Sequence, residues 1–195
     1  MKKILFLLFT LFSTQLFAFS QNELVTQLQQ PQNVQGSFTQ LRFLKSLTKP
    51  ITTSGQFTLV KSKGLLWQME KPFATTLKVT PTGIQQWNGS AWVGNQKFGQ
   101  SDQIKLFLGL LSGDISALSA QFDTAVSGSK ANWTLKLTPK TLIMQQIFTQ
   151  IQLRGGDLVT EIELAETQGD RTQIQFSQLK TNQALTEFVQ QALEP

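Results

Sequence analysis

The sequence predicts a mainly β (α+β) domain: an incomplete antiparallel β-barrel of about 10–11 strands, with short α-helices as a lid over an apolar cavity. Three observations lead there. From Ser54 to Trp92, large apolar residues alternate between closely spaced turn signals, and strand residues i, i+2 and i+4 share one face. From Ser101 the apolar spacing changes to that of helices. From Asn132 to Leu179 the alternation returns, with glycine turns placed for hairpins. Helices lying between hairpin-connected strands are not the crossovers of a parallel sheet, so they fall across its apolar face, either as a lid or as a fixed plug.

The chain opens with Met1-Lys2-Lys3, an apolar stretch from Ile4 to Phe12, and Leu16-Phe17-Ala18. A basic start, a short apolar run and a small residue form the pattern of a cleaved export signal. Residues 1–18 are therefore read as a signal peptide and 19–195 as one domain. No later stretch reaches the roughly 20 apolar residues of a membrane-spanning helix. Removing Lys2 and Lys3 takes the basic count from 17 to 15 against 12 acids, or about +3. The basic residues are scattered, which argues against nucleic acid as a partner.

Asn22 to Gln30 reads as an amphipathic helix, with Leu24, Val25 and Leu28 on one side, Asn22 as its cap and Pro31 as its stop. Val34 to Leu44 reads as a first strand with Phe38 inward, and Ser46 to Thr53 as a polar linker. In the central stretch Phe57, Leu59 and Lys61 share a face, followed by Leu65, Trp67 and Met69, then Leu77 and Val79, then Ile84 and Trp87. Pro81-Thr82-Gly83 is turn chemistry, and Asn88-Gly89 is a tight-hairpin signal. Ser101 or Asp102 caps a helix carrying Ile104, Phe107, Leu108 and Leu111. Gly113 ends it, and Asp114 opens a second helix with Ile115, Leu118 and Phe122. Trp133, Leu135 and Leu137 alternate in a further strand. Leu142 to Leu153 reads as one long strand, Leu158 to Leu164 and Thr172 to Leu179 as two more, and Thr186 to Leu193 as a terminal helix.

The chain has neither cysteine nor histidine. Thiol nucleophiles, disulfides, Ser-His-Asp triads and ordinary zinc sites are thereby excluded, and no cofactor is implied. Glu161 and Glu163, with Asp157 and Glu166 nearby, are the one carboxylate grouping to weigh for hydrolysis. Two like charges two apart on a strand are read instead as a solvated outer face. With 15 Phe and 4 Trp but no Tyr, the aromatic surface lacks hydroxyls. Its apolar positions exceed what one sheet face must bury, so a cavity for a greasy ligand accounts for the surplus. Lys61, on the Phe57–Leu59 face, is either a cation at that cavity's edge, which needs a partner, or a side chain that points outward past the strand end.

Gly55, Phe57, Leu59, Lys61, Leu65 and Trp67, followed by Pro72 and Trp87, form a motif that resembles the periplasmic outer-membrane lipoprotein carrier family, the LolA family. Gly36 to Gln40 (GSFTQ) is similar to that family's first strand, and Asn132 to Lys140 (NWTLKLTPK) to a later one. The resemblance implies an apolar interior that accepts lipoprotein acyl chains, walled by Phe57, Leu59, Leu65, Trp67, Met69, Leu77, Trp87, Trp133 and Leu135. The lid would comprise Ile104, Phe107, Leu108, Leu111, Ile115 and Leu118. The family's arginine-proline latch corresponds to Lys61-Ser62. Lysine keeps the charge but lacks the planar five-donor fork. The resemblance further implies a monomeric, non-enzymatic carrier in the periplasm of a Gram-negative bacterium. It would move lipoproteins from an inner-membrane release complex to an outer-membrane receptor. Two other readings stay open: a carrier of another lipid or acylated product in a dedicated pathway, and an integral outer-membrane β-barrel.

Overall fold

A computed structural model of the chain describes residues 19–94, 101–114 and 118–194, without the side chains of 101–105 and 107. The export signal, and Ile104, Phe107 and Ile115 of the expected lid, lie outside what is described. Eleven antiparallel strands form one sheet. In chain order they are β1 (Asn33–Phe43), β2 (Ile51–Val60), β3 (Gly64–Lys71), β4 (Thr75–Thr80), β5 (Gly83–Trp87), β6 (Trp92–Gly94), β7 (Phe122–Ser129), β8 (Asn132–Pro139), β9 (Phe148–Gly155), β10 (Val159–Glu166) and β11 (Arg171–Thr181). The order in space is β6-β5-β4-β3-β2-β1-β11-β10-β9-β8-β7. Every pairing joins strands consecutive in the chain except β1 with β11, which joins the two halves of the chain. β6 and β7 do not pair, so the sheet stays open. A membrane-spanning barrel needs closure to satisfy its edge hydrogen bonds, and this sheet corrects that reading.

Four helices accompany the sheet among the described residues: α1 (Gln21–Leu28), α2 (Ser101–Ser112), α3 (Leu142–Ile147) and α4 (Glu187–Leu193). The main core fills the concave face. Leu24 and Leu28 of α1 and Leu106, Leu110 and Leu111 of α2 meet Phe38, Phe57, Leu65, Trp67, Trp133, Leu135, Ile151 and Ile174 of the strands. A second core lies on the opposite face, where Val189, Ala192 and Leu193 of α4 pack on Val60 and Leu66. β3 is buried on both sides, which explains its unbroken apolar run Leu65-Leu66-Trp67.

Local chemistry revises several expected boundaries. Ser20, not Asn22, caps α1. Its hydroxyl accepts from the Glu23 amide while the Glu23 carboxylate accepts from the Ser20 amide, a reciprocal capping box. The expected linker gives way to β2 at Ile51. Phe122 opens strand β7 rather than ending a helix, because its partner Pro139 extends the β7–β8 hairpin. The long strand expected from Leu142 is helix α3 followed by β9. Thr141 caps that helix by accepting from the Met144 amide, and the turn leaves Leu142 and Ile143 in solvent while burying Met144.

Among the described strand glycines, Gly55 meets the closest backbone approach. A Cβ there would lie 1.9 Å from the Gln68 carbonyl oxygen, at a register irregularity between β2 and β3. Phe38 stands opposite it on β1 and stacks on Trp67 with ring centroids 3.7 Å apart.

Candidate functional site: an apolar concave face and its helical roof

An aromatic stripe crosses the middle of the concave face. Phe38 pairs in register with Phe176 on β11, and Phe57 pairs with Trp67 on β3. Phe57 meets Phe176 edge-on at 5.1 Å, and Trp67 meets Phe176 edge-on at 6.3 Å. Edge and offset contacts suit the ring quadrupoles. Of the expected cavity residues, Phe57, Leu59, Leu65, Trp67, Leu77, Trp133 and Leu135 lie buried in this core, with Met69 half-buried against it. Trp133 is locked further, since its indole N–H donates to the Gly156 carbonyl at 2.6 Å.

Trp87 is placed elsewhere. Gln86 pairs with the inward Leu77, so its neighbour Trp87 must point to the opposite face. There it packs edge-on against Phe188 of α4 and lies beside Trp92. Alternation alone had put Trp87 in line with Ile84, but they are three positions apart and on opposite faces.

The roof is continuous with the core. Leu108 is half-buried, and Leu111 and Leu118 are buried against the sheet. Between roof and strands the packing is tight: a void of about 20 Å³ remains among Phe57, Leu111, Val159 and Phe176. Toward the end of the sheet that holds the β2–β3 turn, the space widens into a cavity of about 440 Å³. Leu28, Val34, Leu59 and Leu108 give it apolar walls, and Gln29, Lys61, Ser112 and Asp114 line its rim. That volume falls within the usual range of ligand pockets, about 300–1,000 Å³.

Lys61 has the partner its position demands. Its Nζ donates to the carbonyl of Gln29, the C-cap of α1, at 2.8 Å. A cation there meets the negative end of the helix dipole and an otherwise unpaired terminal carbonyl. The Gln29 side chain in turn donates from Nε2 to the Gly113 carbonyl just past α2, at 3.4 Å. Strand β2, α1 and the end of α2 are thus joined in one chain of contacts. Gly113 is required at that junction: its φ is +69°, and a Cβ would come within 2.4 Å of the Leu28 Cβ. Sequence reasoning missed Gln29 and Gly113 as parts of this junction. The signals were a helix C-cap before Pro31 and a glycine ending α2, which read equally as ordinary helix termini.

The carboxylates on the outer face are engaged. Glu161 is ion-paired with Arg154 across the β9–β10 hairpin and accepts from Gln173 at 3.2 Å. Glu163 lies 3.7 Å from Arg171 and Glu166 lies 3.7 Å from Arg42. Among the described residues there is no grouping of three or more His, Cys, Asp or Glu side chains suited to a metal.

An open antiparallel half-barrel, apolar within and roofed by helices that are strapped at one end, defines the class of protein. The chain belongs to the family described as outer membrane lipoprotein carrier protein LolA, whose model matches residues 29–189. An outer-membrane lipoprotein carrier protein of Pseudomonas putida is similar at 28% identity over 166 residues, covering 81% of this chain and 76% of the relative. One from Pseudomonas fluorescens is similar at 27% over 160 residues, again covering 81% and 76%. Among solved structures, a LolA superfamily protein from Nitrosomonas europaea aligns with 88% of this chain and 97% of its own, at TM-score 0.49 and 9% identity. The Pseudomonas aeruginosa MucA/MucB complex aligns with 89% of this chain at TM-score 0.48 and 16% identity, and this chain spans 59% of that one.

Proposed function

We propose that this protein is a periplasmic carrier that shields the acyl chains of lipoproteins between the inner and outer membranes. It would receive them from an inner-membrane release complex and yield them to an outer-membrane receptor. The observation that carries this reading is the apolar concave face beneath a roof held by the Lys61–Gln29–Gly113 contacts. A protein that only needed a core would not need the 440 Å³ cavity beside that strap. Family membership points the same way.

Acyl chains enter at the cavity and extend inward as α1 and α2 lift from the aromatic stripe. The apolar contacts α1 and α2 make with the sheet are then replaced by contacts with the cargo, which keeps the net affinity moderate. About ten buried methylenes contribute about 8 kcal/mol, of micromolar order before the cost of displacing the roof. Reversibility is what a carrier requires. Lys61 and Gln29 hold the empty protein closed, and the carrier works by burial alone, as a monomer and without covalent chemistry.

The test is titration with a fluorescent fatty-acyl probe. Saturable binding is expected, with at least tenfold weaker binding in Leu108→Glu, whose side chain lines the cavity and is only half-buried. Leu65 is unsuitable for this test because it is fully buried, and a carboxylate there would unfold the sheet. Absence of saturable binding by a folded protein overturns the proposal. Mass spectrometry of lipids extracted from the protein isolated from its own cells identifies the cargo class.

A further inference from the structure

We propose that the end of the sheet opposite Lys61 is a docking rim for an anionic lipid bilayer surface. The β1–β2 loop, the β3–β4 loop and the α3 connection into β9 all lie at that end. The registers require it: Arg42 pairs with Ile51, Ser54 with Lys71, Met69 with Thr75, Phe43 with Arg171, and Glu166 with Phe148. These segments and the first residue of β2 carry five large apolar side chains in solvent. Phe73 is 80% exposed, Leu142 78%, Ile143 58%, Leu47 50% and Ile51 44%. Among the described residues, the sole other exposed large apolar side chain is Val93.

Single exposed apolar residues are ordinary, but a set confined to one end is a mark of an interaction surface. Their structural setting is not that of failed packing. Met144 and Phe148 of the third segment are buried, so α3 is anchored while Leu142 and Ile143 face outward. Pro72 restricts the backbone ahead of Phe73.

The charge on these segments names the occupant. Residues 44–50, 71–74 and 140–147 contain Lys45, Lys49, Lys71 and Lys140 and no carboxylate. All four lysines are exposed. Of the carboxylates at the same end, Glu166 pairs with Arg42, while Glu70 accepts from the neutral Gln56 amide and Asp170 from the Lys45 backbone N–H, and both keep their charge. Arg42 and Arg171 add two cations to the four lysines. Asp123, near the β7 edge, is exposed. Protruding apolar side chains ringed by lysines suit a bilayer, with the former entering among acyl chains and the latter meeting anionic headgroups. Three segments spread along one rim give three points of contact, so docking also sets an orientation, with the Lys61 end turned away from the bilayer and open to a protein partner.

Co-sedimentation with vesicles tests this. The purified protein is expected to bind vesicles of phosphatidylglycerol and phosphatidylcholine, and to release as salt shortens the screening length from about 10 Å to about 3 Å. Neutralising Lys71 or Lys140 weakens partitioning about fivefold each. Phe73→Ser weakens it roughly tenfold, as does Leu142→Ser with Ile143→Ser. All these positions are exposed, so unfolding midpoints stay unchanged. Failure to bind the anionic vesicles overturns the proposal, as does binding that the rim substitutions leave intact. Self-association that those substitutions abolish, without vesicle binding, would assign the rim to a second copy and likewise overturn it. Binding of the acyl probe free in solution is expected to survive every rim substitution, so this proposal and the acyl-carrier reading fail separately.

Discussion

The two faces of strand β3 carry the same kind of residue and serve different ends. Leu65 and Trp67 point into the concave core under α1 and α2, while Leu66 between them points to the convex core under α4. The convex cover is fastened. Thr186 caps α4 by accepting from the Val189 amide. The strap leading to it is tied where Asn33 and Asn182 exchange side-chain and backbone bonds with residues 182–183 and 32–33. The concave cover is larger and more apolar; Lys61–Gln29 ties it to β2, while Gln27 of α1 donates to the Gly156 and Lys130 carbonyls and Gln21 accepts from the Thr124 hydroxyl. Burial alone does not distinguish the two covers. The polar contacts that hold each one differ in kind.

Matched substitutions on β3 put the largest effect on that comparison. Leu65→Ala and Leu66→Ala should each destabilise the fold by about 2–5 kcal/mol, since both are fully buried. Urea unfolding measures the loss. Acyl-probe affinity should change with Leu65→Ala and stay constant with Leu66→Ala. Equal effects on the probe would erase the difference between the faces.

Weakening the fastenings gives the next effect. Thr186→Ala removes the α4 cap and should cost about 0.5–2 kcal/mol, with no change in probe kinetics. Lys61→Met removes one exposed charge-assisted bond and should cost at most about 1 kcal/mol. Its signature is kinetic instead, with faster probe entry and release in stopped-flow mixing. Unchanged rates would show that the Lys61–Gln29 contact does not hold α1, leaving packing and the Gln27 and Gln21 hydrogen bonds to do so.

The smallest effect is on pH dependence at the start of α1. The Ser20 hydroxyl, then the Ser20 backbone N–H, hold the Glu23 carboxyl below its ordinary value, with Lys130 adding a minor electrostatic pull. A depressed folded-state value means the contribution is present above the unfolded carboxylate range and lost as pH falls through the folded one. Wild type should therefore lose slightly more stability on acidification than Glu23→Gln, as read from urea midpoints across that range.

Most strands were legible from alternation because each buries one face more than the other. Phe57, Leu59, Leu65, Trp67, Leu77, Trp133 and Leu135 could be grouped that way before any coordinates. Three places resisted, for physical reasons. In Leu142–Ile147, helix and strand periodicities both fit a short apolar run, and the Thr141 cap decided. In Phe122–Ser129, small and polar residues dilute the alternation, and pairing to β8 supplies the strand. Trp87 sits beyond Ile84 by an odd number of positions, and its face was set by register with Leu77 through Gln86.

By itself the sequence determined the antiparallel class, the absence of thiol and imidazole side chains and the apolar surplus, because these depend on local spacing and composition. Only the tertiary structure decided that β1 joins β11, that α4 covers the far face, and that Lys61 meets Gln29 at the end of α1. Those contacts link residues distant in sequence, and no local propensity encodes which carbonyl a lysine will find once the sheet has curled.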